Sequence, residues 1–189
     1  MNLESFLLMR HEIVLTVITL IILIAELSEV GKNRLIWISL VSFFIITVIG
    51  FIPVPEGSLF GDMYRSSNLT TLMKNVLNIG VMILFLQTAG WIKQPEYDKK
   101  VSEFYMLILS TLIVMNFMIS SGHFLMFYIG LELATIPIAA LAAYDRFKAI
   151  SSEAGIKLIL SSALSSGILL YGLSMIYGTT GSLYFNDVA

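Results

Sequence analysis

Between Phe104 and Tyr144 the chain carries a single charged side chain, Glu132. About 20 apolar residues suffice to cross the roughly 30 Å hydrocarbon core of a bilayer. The run is therefore too long for one helix, and Ser120-Ser121-Gly122-His123 is its natural break. The rest of the sequence is built the same way. The 189 residues are 57% hydrophobic and only 13% charged, about half the charge of a soluble domain. The composition predicts an integral membrane protein.

Six apolar segments predict an all-α, polytopic fold in a single transmembrane domain, 1–189, with about six transmembrane helices. Their expected bounds are about 12–27, 35–52, 74–91, 102–119, 124–143 and 152–177. The first ends at Glu26 and Glu29, and lacks the basic leader and small-residue cleavage site of a signal peptide. Pro53 and Pro55 close the second, since proline cannot continue a helix. A polar loop from Glu56 to Thr71 follows, and the third span opens at Lys74 and ends at Trp91, an interfacial anchor. The sixth stops at Gly178-Thr179-Thr180-Gly181.

Loop charges give the orientation. Lys32, Arg34, Lys93, Lys99, Lys100, Arg146 and Lys148 fall on one face, seven of the eleven cations. Arg10, Arg65 and Lys74 fall on the other, with Lys157 inside a span. Cytoplasmic loops collect lysine and arginine, so the N-terminus is expected outside. The chain has no cysteine, which excludes a disulfide framework, thiolate zinc and protein-ligated iron–sulfur clusters. His11 and His123 are too far apart to suggest a haem or metal site.

Two intramembrane charges then stand out. A charge at mid-bilayer costs roughly 2.5–3.5 kcal/mol on insertion scales, and such residues usually pair, face a wet cavity or carry protons. Glu132 lies about nine residues into the fifth helix, roughly 13 Å deep at 1.5 Å per residue. Tyr128 and Thr135 share its face, and Pro137 frees the Leu133 carbonyl beside it. That surround fits a proton or cation station; the plainer reading is a neutral glutamic acid bonded to a neighbouring helix. Lys157 is more evenly divided. Its stem can snorkel to the headgroups, and Glu153 stands four residues before it in the favourable order for an intrahelical pair. Against that, Ser161 and Ser165 continue its face as a polar stripe that can order water. Small residues along the same helix also suit close helix packing. Consecutive antiparallel helices can bring Glu132 and Lys157 to face each other, at depths about 7 Å apart.

The segment Tyr128-Ile129-Gly130-Leu131-Glu132-Leu133-Ala134-Thr135-Ile136-Pro137 resembles the fifth helix of the antiporter-like subunits of respiratory complex I. Glu153-Ala154-Gly155-Ile156-Lys157, the serine-rich run to Gly167, and Tyr177-Gly178-Thr179-Thr180-Gly181-Ser182-Leu183 resemble their sixth helix and its exit. The loop Ala143-Tyr144-Asp145-Arg146 and the stretch from Met63-Tyr64 to Leu72-Met73-Lys74 are most similar to the subunit N branch of the NADH-quinone oxidoreductases. The resemblance implies that the chain corresponds to six of about fourteen helices, with the broken seventh helix and the second inverted repeat outside it. It implies a proton pathway through Glu132 and Lys157; Tyr128, Thr135, Pro137, Glu153, Ser161 and Ser165 are the supporting residues that helical spacing places beside them. It implies no redox chemistry, catalytic residue, metal or cofactor in this chain. NADH, flavin, iron–sulfur clusters and quinone would belong to partner subunits. The expected partners are other membrane-arm subunits and the lipid of a bacterial inner membrane, not nucleic acid. Two competing readings are a subunit of a multi-subunit cation/proton antiporter and a non-pumping structural membrane subunit.

Overall fold

The structure, a computed structural model, describes residues 7–28, 30–92, 101–145 and 147–189. Among the described residues, six long helices run alternately up and down: α1 (Arg10–Leu27), α2 (Lys32–Gly50), α3 (Asn68–Trp91), α4 (Val101–Ile119), α5 (Phe124–Ala142) and α6 (Ala149–Thr180). A short α7 (Phe185–Val188) follows. Five of these helices, α2 to α6, are long and apolar enough to cross a membrane. The remaining long helix, α1, matches α2 in length to within a turn but carries Arg10, Glu12 and Glu26. Among the described residues the architecture is the all-α, polytopic one the apolar segments predict.

Between α2 and α3 the polar segment expected as plain loop forms an antiparallel hairpin, β1 (Gly57–Leu59) and β2 (Tyr64–Ser66). Its tight turn holds Phe60, Gly61 and Asp62 at positive φ, a region that only glycine enters without steric cost. The other departure is where α3 begins. The third span was expected to open at Lys74, yet the helix starts at Asn68. The cause is a capping box: Ser67 Oγ accepts from the Thr70 amide at 3.3 Å, and the Ser67 amide donates to Thr70 Oγ1 at 2.8 Å. Two otherwise unpaired amides are thereby satisfied, and Lys74 moves inside the helix.

Four helices build the core. Phe43 of α2, Phe85 of α3 and Tyr105 of α4 stack at ring separations of 4.9 and 4.7 Å, next to Leu15 and Ile22 of α1. Helix α5 packs along α4, and α6 rests on α5. Gly155 is what lets α6 approach: a Cβ there would stand 2.6 Å from the Ala143 side chain and 3.2 Å from the Ala139 carbonyl. Most of α6 otherwise presents apolar side chains outward, among them Ile156, Leu160, Leu164 and Ile168.

The N-terminal end of α1, the hairpin, the α4–α5 turn and the chain after α6 gather at one end of the bundle. The Arg65 amide donates to the Ser120 carbonyl and the Gly122 amide to the Met63 carbonyl, both at 2.7 Å. The Phe124 amide donates to the Leu183 carbonyl at 2.9 Å, and Arg65 Nη1 donates to Asn186 Oδ1 at 2.8 Å. These bonds make a continuous polar roof over the helix ends.

Candidate functional site

Glu132 stands in the middle of α5, eight residues from its first residue, Phe124. Its side chain is half-buried, and Oε1 is buried with no hydrogen-bond partner among the described residues. Neither Tyr128 nor Thr135 therefore reaches that oxygen. The Thr135 hydroxyl donates at 2.7 Å to the backbone carbonyl of Glu132 instead, the common habit of threonine inside a helix. Pro137 sits within α5, which continues through it to Ala142.

Lys157 lies on the exposed side of α6 and pairs with Glu153 one turn before it, at 2.5 Å. Ser161 and Ser165 continue that exposed face, and the Ser165 hydroxyl donates to the Ser161 carbonyl at 3.0 Å. The fold brings Lys157 to Glu153, and it does not bring Lys157 to Glu132. Lys93, Lys99, Lys100, Arg146 and Glu29, which figured in the charge reading, lie outside the described residues.

The most deeply buried charges are a pair the sequence reading passed over. Glu12 of α1 and Lys74 of α3 are 2% exposed each. Lys74 Nζ donates to Glu12 Oε1 at 2.6 Å. The Tyr64 hydroxyl, from β2, joins both: it lies 3.1 Å from Glu12 Oε1 and accepts from Lys74 Nζ at 3.0 Å. It also lies 3.1 Å from the Leu8 carbonyl. Burial, and after it the neighbouring Glu12 carboxylate, push the Tyr64 hydroxyl far up, so it stays a neutral donor. A charge pair inside a bundle is tolerated only with this kind of geometry, because desolvating two ions costs several kcal/mol each.

A second layer of polar groups supports the pair. His11 Nε2 is 3.3 Å from Asn75 Oδ1, and Asn75 Nδ2 donates to the Gly50 carbonyl at 3.0 Å. Arg10 donates to the Ile52 carbonyl at 2.6 Å, satisfying an acceptor just past the end of α2. Gly50 leaves room for this layer, since a Cβ would stand 2.4 Å from Asn75 Oδ1 and 3.3 Å from His11 Nε2 and force the Asn75 side chain to shift.

Lys74, taken in the sequence as an outer loop cation, is thus a buried partner of Glu12. The signal that would have found it is the spacing in Ser67-Asn68-Leu69-Thr70: a helix capped at Ser67 puts residue 74 two turns inside. No group of three or more potential metal-ligating side chains occurs among the described residues. The cluster itself is a carboxylate, an ammonium and a phenol sharing hydrogen bonds.

Comparison with known proteins agrees with the architecture. The family described as NADH:quinone oxidoreductase/Mrp antiporter, TM, matches residues 121–189. The NADH-quinone oxidoreductase subunit N of Phocaeicola vulgatus is 43% identical over all of this chain, which spans 40% of that relative. The subunit N of Azobacteroides pseudotrichonymphae is 38% identical, again over the whole chain and 40% of the relative. The chain thus spans well under half the length of the curated relatives it matches. Two solved structures share the fold. One is respiratory complex I from Thermus thermophilus, with a TM-score of 0.74 at 21% identity over 92% of this chain and 38% of that one. The other is an archaeal membrane-bound sulfane sulfur reductase, with a TM-score of 0.66 at 16% identity over 100% of this chain and 41% of that one. The chain belongs to the antiporter-like membrane subunits typified by NADH-quinone oxidoreductase subunit N.

Proposed function

We propose that this chain forms part of a membrane-arm subunit of a bacterial proton-translocating NADH-quinone oxidoreductase. The observation that carries the reading is 43% identity to a subunit N along the whole of the chain. In this reading NADH, flavin, iron–sulfur clusters and quinone are handled by partner subunits, and the chain performs no redox chemistry. It contributes Glu132 and Lys157 to a proton pathway through the inner membrane. Support for Glu132 is its position at the centre of an apolar helix with one carboxylate oxygen buried and unpartnered; an intramembrane acid of this kind is by default a functional candidate. Lys157 would exchange its Glu153 partner for the pathway during turnover. The N-terminus lies outside in this reading, and moving Lys74 into a helix leaves Arg10 and Arg65 as the outer cations, which sharpens the charge asymmetry.

The test is Glu132→Gln in the assembled enzyme in liposomes. The expected result is a lower ratio of protons pumped to NADH oxidised with assembly retained. An unchanged ratio would remove Glu132 from the pathway. A second reading, a subunit of a multi-subunit cation/proton antiporter, draws on the family description, which names both groups. Co-purification with flavin and iron–sulfur subunits decides between them.

A further inference from the structure

Glu12, Tyr64 and Lys74 form a closed triangle of hydrogen bonds at the hairpin end of α1 and α3. The triangle leaves something over. Glu12 Oε2 is buried without a hydrogen-bond partner among the described residues, and so are both polar atoms of Asn78 and both of Asn116. Asn78 and Asn116 are 0% exposed. Asn78 is one turn further into α3 than Lys74, on the same buried face. Asn116 is one turn further into α4 than Ser120, whose carbonyl holds the amide of Arg65, next to Tyr64. Buried amides and carboxylates are nearly always satisfied, and ordered water satisfies them where side chains do not.

From these positions we propose that Glu12, Lys74 and Tyr64 constitute a second proton-transfer site, whose ligand is water held by Glu12 Oε2, Asn78 and Asn116. The site is separate from Glu132 and Lys157 and lies on different helices. A water-borne proton adds to Glu12 Oε2, forming an O–H bond. Lys74 Nζ releases one of its own protons to water, breaking an N–H bond and leaving a neutral acid beside a neutral amine. Rotation of the protonated carboxyl then exchanges its two oxygens, and transfer of the proton to Lys74 Nζ across the 2.6 Å contact breaks the O–H bond and restores the ion pair. Tyr64 bonds both partners and keeps them aligned throughout. Of the neighbouring charged and titratable groups, Tyr64 on the hairpin bonds the pair, His11 on α1 bonds Asn75 next to Lys74, and Arg10 turns to the Ile52 carbonyl. The paired ions of the resting state cost least when the positive and negative members exchange protons together, because a lone buried charge is strongly penalised.

The rival account is a static clamp that fastens the hairpin to α1 and α3. The double variant Glu12→Gln/Lys74→Met separates the two, since it removes both charges and leaves neither uncompensated. The experiment uses the full-length protein in its assembled complex, reconstituted in liposomes; its pumping readout rests on the function proposed above. The double variant is expected to assemble and to oxidise substrate, with the proton-to-electron ratio down to about half of wild type or less. Pumping at the wild-type ratio overturns the proposal. Should the double variant fail to assemble, Tyr64→Phe keeps the ion pair and removes only the shared hydroxyl. It too must lower the ratio, and a wild-type ratio overturns the relay. Ordered water within hydrogen-bond distance of Glu12 Oε2, Asn78 and Asn116 in a high-resolution density map of the same complex is the readout independent of pumping. Water there supports the site even if the complex does not pump, which is how failure of the function would be told apart. Dry asparagines bonded to side chains overturn it.

Discussion

At the scale of single residues, the charges of this chain sort by what surrounds them. Glu12 and Lys74 are almost fully buried and paired with each other through Glu12 Oε1, with Oε2 left unpartnered among the described residues. Lys157 and Glu153 are exposed on α6 and paired along their own helix, an arrangement worth a few tenths of a kcal/mol in water. Glu132 lies between these cases, half-buried with one orphaned oxygen. The glycine that lets the buried set exist is Gly50. Its substitution by alanine pushes a methyl group into Asn75 Oδ1 and His11 Nε2, and should cost about 1–3 kcal/mol. The expected readout is a lower thermal unfolding midpoint in detergent for Gly50→Ala. Gly172→Ala, with nothing within 4 Å of its added carbon, should leave that midpoint unchanged or higher. Apolar context made Glu132 conspicuous in the sequence. Glu12 and Lys74 were not, because each stands at the edge of its apolar segment in the sequence, where a charge is ordinarily solvated.

At the scale of elements, α3 decides how much of the candidate site exists. The apolar pattern alone opens this helix at Lys74; the Ser67 and Thr70 hydroxyls open it at Asn68. Six further residues add about 9 Å of helix, which carries Lys74 and Asn75 to face Glu12 and His11. Ser67→Ala removes one side of the capping box and should destabilise the protein by about 1 kcal/mol, seen as faster amide hydrogen exchange through the first turn of α3. Unaltered exchange there would mean that packing alone holds the turn. Helix α6 teaches the converse. Its small residues suggested close packing along its length, but only Gly155 among its glycines meets a neighbouring helix, and Gly167, Gly172 and Gly178 have nothing within 4 Å. Composition reveals that a helix can be approached closely. Which face is approached depends on where α5 leaves its Ala139 and Ala143.

For the molecule as a whole, the roof formed by the hairpin, the α4–α5 turn and the segment after α6 ties distant parts of the chain together. Gly122 is its seam: a Cβ would stand 2.2 Å from the Asp62 carbonyl and 2.8 Å from Arg65 Nε. Gly122→Val should lift the hairpin from the α4–α5 turn, open it to limited proteolysis at Phe60–Met63, and expose Tyr64. Protection equal to wild type would show that the hairpin is held from elsewhere. The number of long helices, their alternation and the mid-helix position of Glu132 were all readable from the order of residues, because the hydrophobic effect acts on runs of about 20 residues and such runs are local. The Glu12–Lys74–Tyr64 cluster was not, since its members are separated by 52 and 62 positions and no periodicity links them. Their meeting depends on how α1, α3 and the hairpin dock. A buried ion pair is tolerated only where that docking supplies its partner at hydrogen-bond distance.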